Sequence, residues 1–71
     1  VFGERIATVA ELEPYEVHGS RHVRVVLAFP DQSFEQAQLG AESVPDGLRP
    51  GDPVIVRTAM NVVVALERVA N

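Results

Sequence analysis

Apolar residues recur at every second position in several short stretches of this chain, and Pro, Gly, Asp and Asn separate the stretches. A two-residue period puts alternate side chains on opposite faces of an extended backbone, so the pattern predicts β-strands rather than helices. Arg5–Leu12 is the first, with Ile6, Thr8, Ala10 and Leu12 on one face and Ala7, Val9 and Glu11 on the other. Pro14 is expected to end it, and Tyr15–Ser20, which carries Gly19, to form a loop. Arg21–Phe29 follows, with Val23, Val25, Leu27 and Phe29 on one side and His22, Arg24, Val26 and Ala28 on the other.

Pro30-Asp31-Gln32-Ser33 has the residues of a hairpin turn and leads into a third strand, Phe34–Leu39. Ser33 and Gln36 also have the spacing of a helical capping box, so helix competes with strand here, and the turn in front favours strand. Gly40–Leu48 lacks alternation and predicts a short turn or a single helical turn. Arg49-Pro50-Gly51-Asp52 then forms a tight turn that launches Pro53–Thr58, with Val54 and Val56 opposite Ile55 and Arg57. Ala59-Met60-Asn61 reverses the chain into a fifth strand, Val62–Val69. Five short strands in 71 residues predict an all-β domain, a small OB-like or SH3-like barrel with at most one short helical turn.

The length allows one domain, residues 1–71, and composition narrows its class. Hydrophobic residues at 46% against 23% charged predict a folded chain rather than a disordered one. A domain of this size buries only about 60% of the surface its unfolded chain exposes, so its stability margin is thin. With no cysteine there is no disulfide or thiolate metal site to widen it, and a partner is the expected support. The same absence is compatible with a reducing cytosol, and a cytoplasmic location is the reading adopted. Val1 at the start fits either removal of an initiator methionine or a piece cut from a longer chain. No apolar run is long enough to span a bilayer, so membrane insertion is not expected. A net charge of −4 has the wrong sign for binding nucleic acid through the whole surface.

Candidate chemistry is sparse. His18 and His22 with Glu13 and Glu16 are a possible metal-ligand set, but Gly19 and Ser20 intervene and break the scaffold that helical spacing would supply. They read as surface histidines, and no metal is expected. Ser20, His22 and the carboxylates are residue types that any chain contains, and Glu11 with Glu13 reads as a solvated acidic edge. No glycine-rich phosphate loop is present. The expectation is a protein that is not an enzyme and needs no cofactor. The alternative is an OB-type single-stranded nucleic-acid binder using Tyr15, Arg21 and Arg24, with Phe29 and Phe34 expected to cap the core across their hairpin.

The C-terminal half carries a more particular string: Glu42-Ser43-Val44, then Gly47-Leu48-Arg49-Pro50-Gly51-Asp52, Val54-Ile55-Val56, Asn61-Val62 and Ala65-Leu66. It resembles the transport-associated OB (TOBE) domains and the molbindins, over about a third of the chain. The resemblance implies a five-stranded OB-like barrel that binds small oxyanions such as molybdate or serves regulation and assembly. Oxyanion-binding members carry a Ser/Ala-Arg-Asn string near the start and a lysine before the Asn-Val element. Here the start is Val1-Phe2-Gly3-Glu4-Arg5 and Thr58 holds the lysine position. Thr58 supplies no charge to offset an oxyanion, and Glu4 repels one. Ser43, Thr58 and Asn61 are the groups left for a small anion, each with an ordinary turn or strand role as its plain explanation.

The leading expectation is a non-catalytic binding, regulatory or assembly module. Val62, Val63, Val64 and Leu66 are its expected interface, because Val62–Leu66 is apolar on both faces and a 71-residue chain has little with which to cover the second. The partner is then a second copy or a larger parent protein. Calorimetry against molybdate or tungstate is expected to be silent; heat at micromolar affinity would restore the ligand that the departures remove.

Overall fold

The computed structural model describes residues 2–69 and contains five strands and one 3-10 turn: β1 Phe2–Val17, β2 Ser20–Ala28, β3 Phe34–Gly40, η1 Ala41–Ser43, β4 Pro53–Ala59 and β5 Val62–Arg68. All pairings are antiparallel, in one sheet of order β3-β2-β1-β4-β5. The sheet curls around its apolar face but is not closed, which corrects the expected barrel: β3 and β5 approach within 8 Å at Cα yet share no ladder. The third segment is a strand, and the helical element is confined to η1.

β1 is twice the expected length. Pro14 does not end it but pairs with Val23, and the expected loop at Tyr15–Ser20 is a continued ribbon with Tyr15 opposite His22 and Val17 opposite Ser20. Proline is tolerated because β4 reaches only as far as Thr8, so beyond that point β1 has a sheet neighbour on one side alone. The reversal is a two-residue turn with His18 at φ 49° and Gly19 at φ 82°. Positive φ at both positions is the type I′ signature, whose twist matches that of the strands it joins.

The core is wholly apolar. Val9, Val25, Leu27, Val54 and Val56 are essentially inaccessible, Ala7, Phe29, Ala37, Leu39, Leu48, Val63 and Leu66 complete the cluster, and no buried polar side chain occurs among the described residues. On β2 the buried side is the expected one. On β1 the alternation breaks: Val9 pairs with Leu27 but Glu11 pairs with Val26, which leaves Ala10 as the extra residue of a β-bulge. Ala7 and Val9 face the core before it and Leu12 after it, so the expected face of Ile6, Thr8, Ala10 and Leu12 does not exist, and Ile6 is 53% exposed. A second bulge lies on β5, where Thr58 pairs with Val63 and Arg57 with Ala65, leaving Val64 over. It lets Val63 and Leu66, three positions apart, both point inward.

Two ends of the curl are covered by local structure. The Arg5 guanidinium lies 3.9 Å from the Phe29 ring centroid, a cation–π contact over one mouth of the core. Phe34, expected beside Phe29 as a core cap, instead points outward and is 69% exposed. Leu48 and Val44, from the segment after η1, pack on the other side.

Two variants test this account. Leu27→Ala should cost about 2–5 kcal/mol in denaturant unfolding, because it removes a fully buried side chain from a thin core. Met60 has φ 52° and is 80% exposed in the two-residue β4–β5 turn, so its backbone is strained with no packing in return. Replacing Met60-Asn61 with Asn-Gly should raise stability by about 1 kcal/mol, visible as a higher midpoint at unchanged slope.

Candidate functional site

Residues singled out from the sequence fall into three places. Ser43 ends η1 and lines a cleft of about 450 Å³ with Glu42, Val44, Pro45 and Ala65–Arg68. Thr58 is half-buried on β4, where its hydroxyl donates to the Gly3 carbonyl at 3.4 Å. Asn61 sits in the β4–β5 turn at φ 66° and lines a different cleft, between β3 and β5. Ser43 therefore lies beside the C-terminal end of β5 and Asn61 at its N-terminal end, so the structure does not bring the three together around one anion. Thr58 and Asn61 have visible structural roles in strand and turn. Val1 of the N-terminal string lies outside the described residues.

The nucleic-acid candidates lie on the β1–β2 ribbon. Tyr15 and His22 are direct cross-strand neighbours, and their rings stack at 5.5 Å between centroids with 21° between planes. Arg24 lies on the same face but is ion-paired to Glu13, directly opposite it. Arg21 pairs in register with Glu16 one position further along, and adjacent strand positions face opposite sides of a ribbon. In register, Arg21 thus alternates with Tyr15, His22 and Arg24 along the ribbon. Arg21, Tyr15 and His22 nevertheless line one cleft of about 520 Å³, with Pro14, Glu16, Val23 and Ala41, where the ribbon leaves the body of the sheet. His22 is the neighbour that sequence reasoning left out of this group. The signal was available: Glu16 and Arg21, then Glu13 and Arg24, lie at equal distances on either side of His18-Gly19. His18 occupies the turn and His22 the stack, and no group of three or more metal-ligating side chains occurs among the described residues.

The interface candidates divide by side. Val63 and Leu66 belong to the core, which corrects their assignment to an exposed surface; the Val64 bulge is the cause. Val62 and Val64 point outward at 61% and 44% exposure, with Met60 beside them on the turn. β5 is also an edge strand, so one row of its backbone groups has no partner in the sheet.

Charge on the convex side is organised by Arg57. It contacts Glu4 across β1–β4 at 2.6 Å and grips Glu67 on β5 with two bonds, Nε to Oε1 at 2.7 Å and Nη2 to Oε2 at 3.0 Å. The bond from Arg57 holds the Glu67 carboxyl below the usual carboxylate range, and the same contact, with Glu4 adding to it, raises Arg57. The Ser33 hydroxyl and backbone N–H similarly lower Asp31 in the β2–β3 turn. These groups are exposed: Arg57 links β1, β4 and β5 through Glu4 and Glu67, and Asp31 closes its own turn with Ser33.

The chain matches no protein-family model, no curated protein and no solved structure.

A depressed carboxyl pKa stabilises the fold above the ordinary glutamate value of about 4.3 and loses that contribution as pH falls through the folded-state value. The difference in melting temperature between the natural chain and Glu67→Gln should therefore be largest near neutrality. It should narrow as pH falls below about 4. A difference independent of pH would show that Arg57 gains nothing from the charge on Glu67.

Proposed function

We propose that this chain is a non-catalytic, OB-like binding or assembly module, similar in its C-terminal half to TOBE domains, that associates with a second copy through β5. The observation carrying the proposal is β5 itself: an edge strand whose inward residues Val63 and Leu66 fill the core while Val62 and Val64 remain exposed on its other side. A regular strand with one solvated face would alternate apolar with polar residues, and an uncovered valine edge invites pairing with another chain. Covering each exposed valine contributes at most about 1.5–3 kcal/mol before the cost of association.

Strand order supports the OB-like part. β1 stands between β2 and β4, β3 and β5 are the edges, and η1 lies between β3 and β4. Joining the two edges would give a five-stranded barrel with a helical turn in the connection from β3 to β4, and the OB class is itself partly open. The oxyanion role implied by the resemblance gains no support, because Ser43 and Asn61 line separate clefts. The nucleic-acid alternative is weakened by the pairing of Arg24 with Glu13 and by Glu16 standing in register opposite Arg21, although Tyr15, His22 and Arg21 share a cleft.

Light scattering coupled to size exclusion tests the assembly. The unmodified domain is expected to elute as a dimer or larger species at high protein concentration, and Val62→Lys combined with Val64→Glu as a folded monomer. Val63→Lys is expected to unfold the domain instead, since it buries a charge without a partner. A strict monomer for the unmodified domain would refute the β5 interface. Tight binding of short labelled single strands at low salt, weakening as salt rises, would favour the nucleic-acid function in its place.

A further inference from the structure

The β1–β2 ribbon leaves one pair of opposite charges open. Glu13 and Arg24 stand in register and close into an ion pair. Glu16 and Arg21 also stand in register but do not close, and neither makes an ion pair elsewhere among the described residues. Pro14 and Val23, the cross-strand pair two positions nearer the body of the sheet, lie on the same side of the ribbon, and Val23 packs against the core. With Ala41 at the start of η1 and the stacked Tyr15 and His22, these residues line the cleft of about 520 Å³. That volume falls within the range of about 300–1,000 Å³ that small-molecule sites occupy.

We infer that this cleft binds a zwitterionic small molecule, an α-amino acid with an apolar or aromatic side chain. Arg21 takes the carboxylate through its planar fork of donors, Glu16 accepts from the ammonium, and Pro14, Val23 and Ala41 receive the side chain. A phosphate meets Glu16 beside Arg21, and a simple cation meets Arg21 beside Glu16, so a ligand carrying both signs fits the pair best. Both charged side chains are exposed, which keeps the affinity low and lets either be replaced without disturbing the core. The inference does not rest on the β5 interface.

Titration of the 15N-labelled domain with L-phenylalanine, followed by NMR, tests it. Amide shifts are expected around Tyr15, Glu16, Arg21–Val23 and Ala41, saturating at millimolar ligand. Phenylacetate, which lacks the ammonium, and phenethylamine, which lacks the carboxylate, should each bind about tenfold more weakly. Arg21→Gln and Glu16→Gln should weaken L-phenylalanine by a similar factor while the rest of the spectrum is unchanged, which separates loss of the site from loss of the fold. Three results would each overturn the inference: no localised shifts up to the solubility limit of L-phenylalanine, an equal response to phenylacetate, or shifts at the same residues that follow protein concentration without ligand. The last would place a second copy of the chain in the cleft.

Discussion

The structure depends on keeping every large inward-facing side chain of β1 on one side of a sixteen-residue strand. A regular pleat cannot do this with Val9 and Leu12, which are separated by an odd number of positions. The bulge at Ala10 turns the strand by one residue, and the two backbone groups of Val9 are then held by the Arg49–Asp52 turn. Val9 N–H donates to the Asp52 carbonyl at 2.9 Å, and Gly51 N–H donates to the Val9 carbonyl at 2.7 Å. Gly51 reaches that position at φ 96°, a conformation that side chains resist. Asp52 closes the turn on itself by accepting from Arg49 N–H at 2.9 Å. The Pro-Gly-Asp string thus links the place where β1 changes face to the start of β4.

The rest of the sheet follows from that fixed point. β2 and β4 pair on either side of β1, and their inaccessible valines and Leu27 meet beneath it. The edge strands contribute less: Ala37 and Leu39 from β3, Val63 and Leu66 from β5. Among the described residues the core of valine, leucine and alanine with a single phenylalanine is small, and it is supplemented by the arginine over Phe29 and by the Arg57 cluster that ties the β5 edge to β4 and β1. Both are exposed electrostatic contacts of modest worth, and neither replaces a hydrophobic cover for the outer side of β5.

The functional reading rests on what the fold leaves uncovered. The ribbon beyond Thr8 projects a stacked Tyr15–His22 pair, but its arginines face glutamates, so it offers no net positive surface to a phosphate backbone. The β5 edge offers apolar side chains and unpaired backbone together, which is chemistry suited to another strand.

Sequence alone determined the strand content, the hairpin at Pro30–Ser33, the faces of β2 and the tight turns at Arg49–Asp52 and Met60-Asn61, because each is written in local alternation or turn chemistry. It also contained the β1–β2 pairing in the mirrored charges around His18-Gly19, although a proline at position 14 suggested a stop. Only the tertiary structure decided which sides of β1 and β5 face the core. Alternation gives parity within a regular strand, and a bulge resets it at a residue, Ala10 or Val64, that carries no local mark. The same reset moved Val63 and Leu66 from an expected interface into the core and left Val62 and Val64 outside. Whether the edges met was equally beyond the sequence, since closure depends on twist accumulated over the whole sheet.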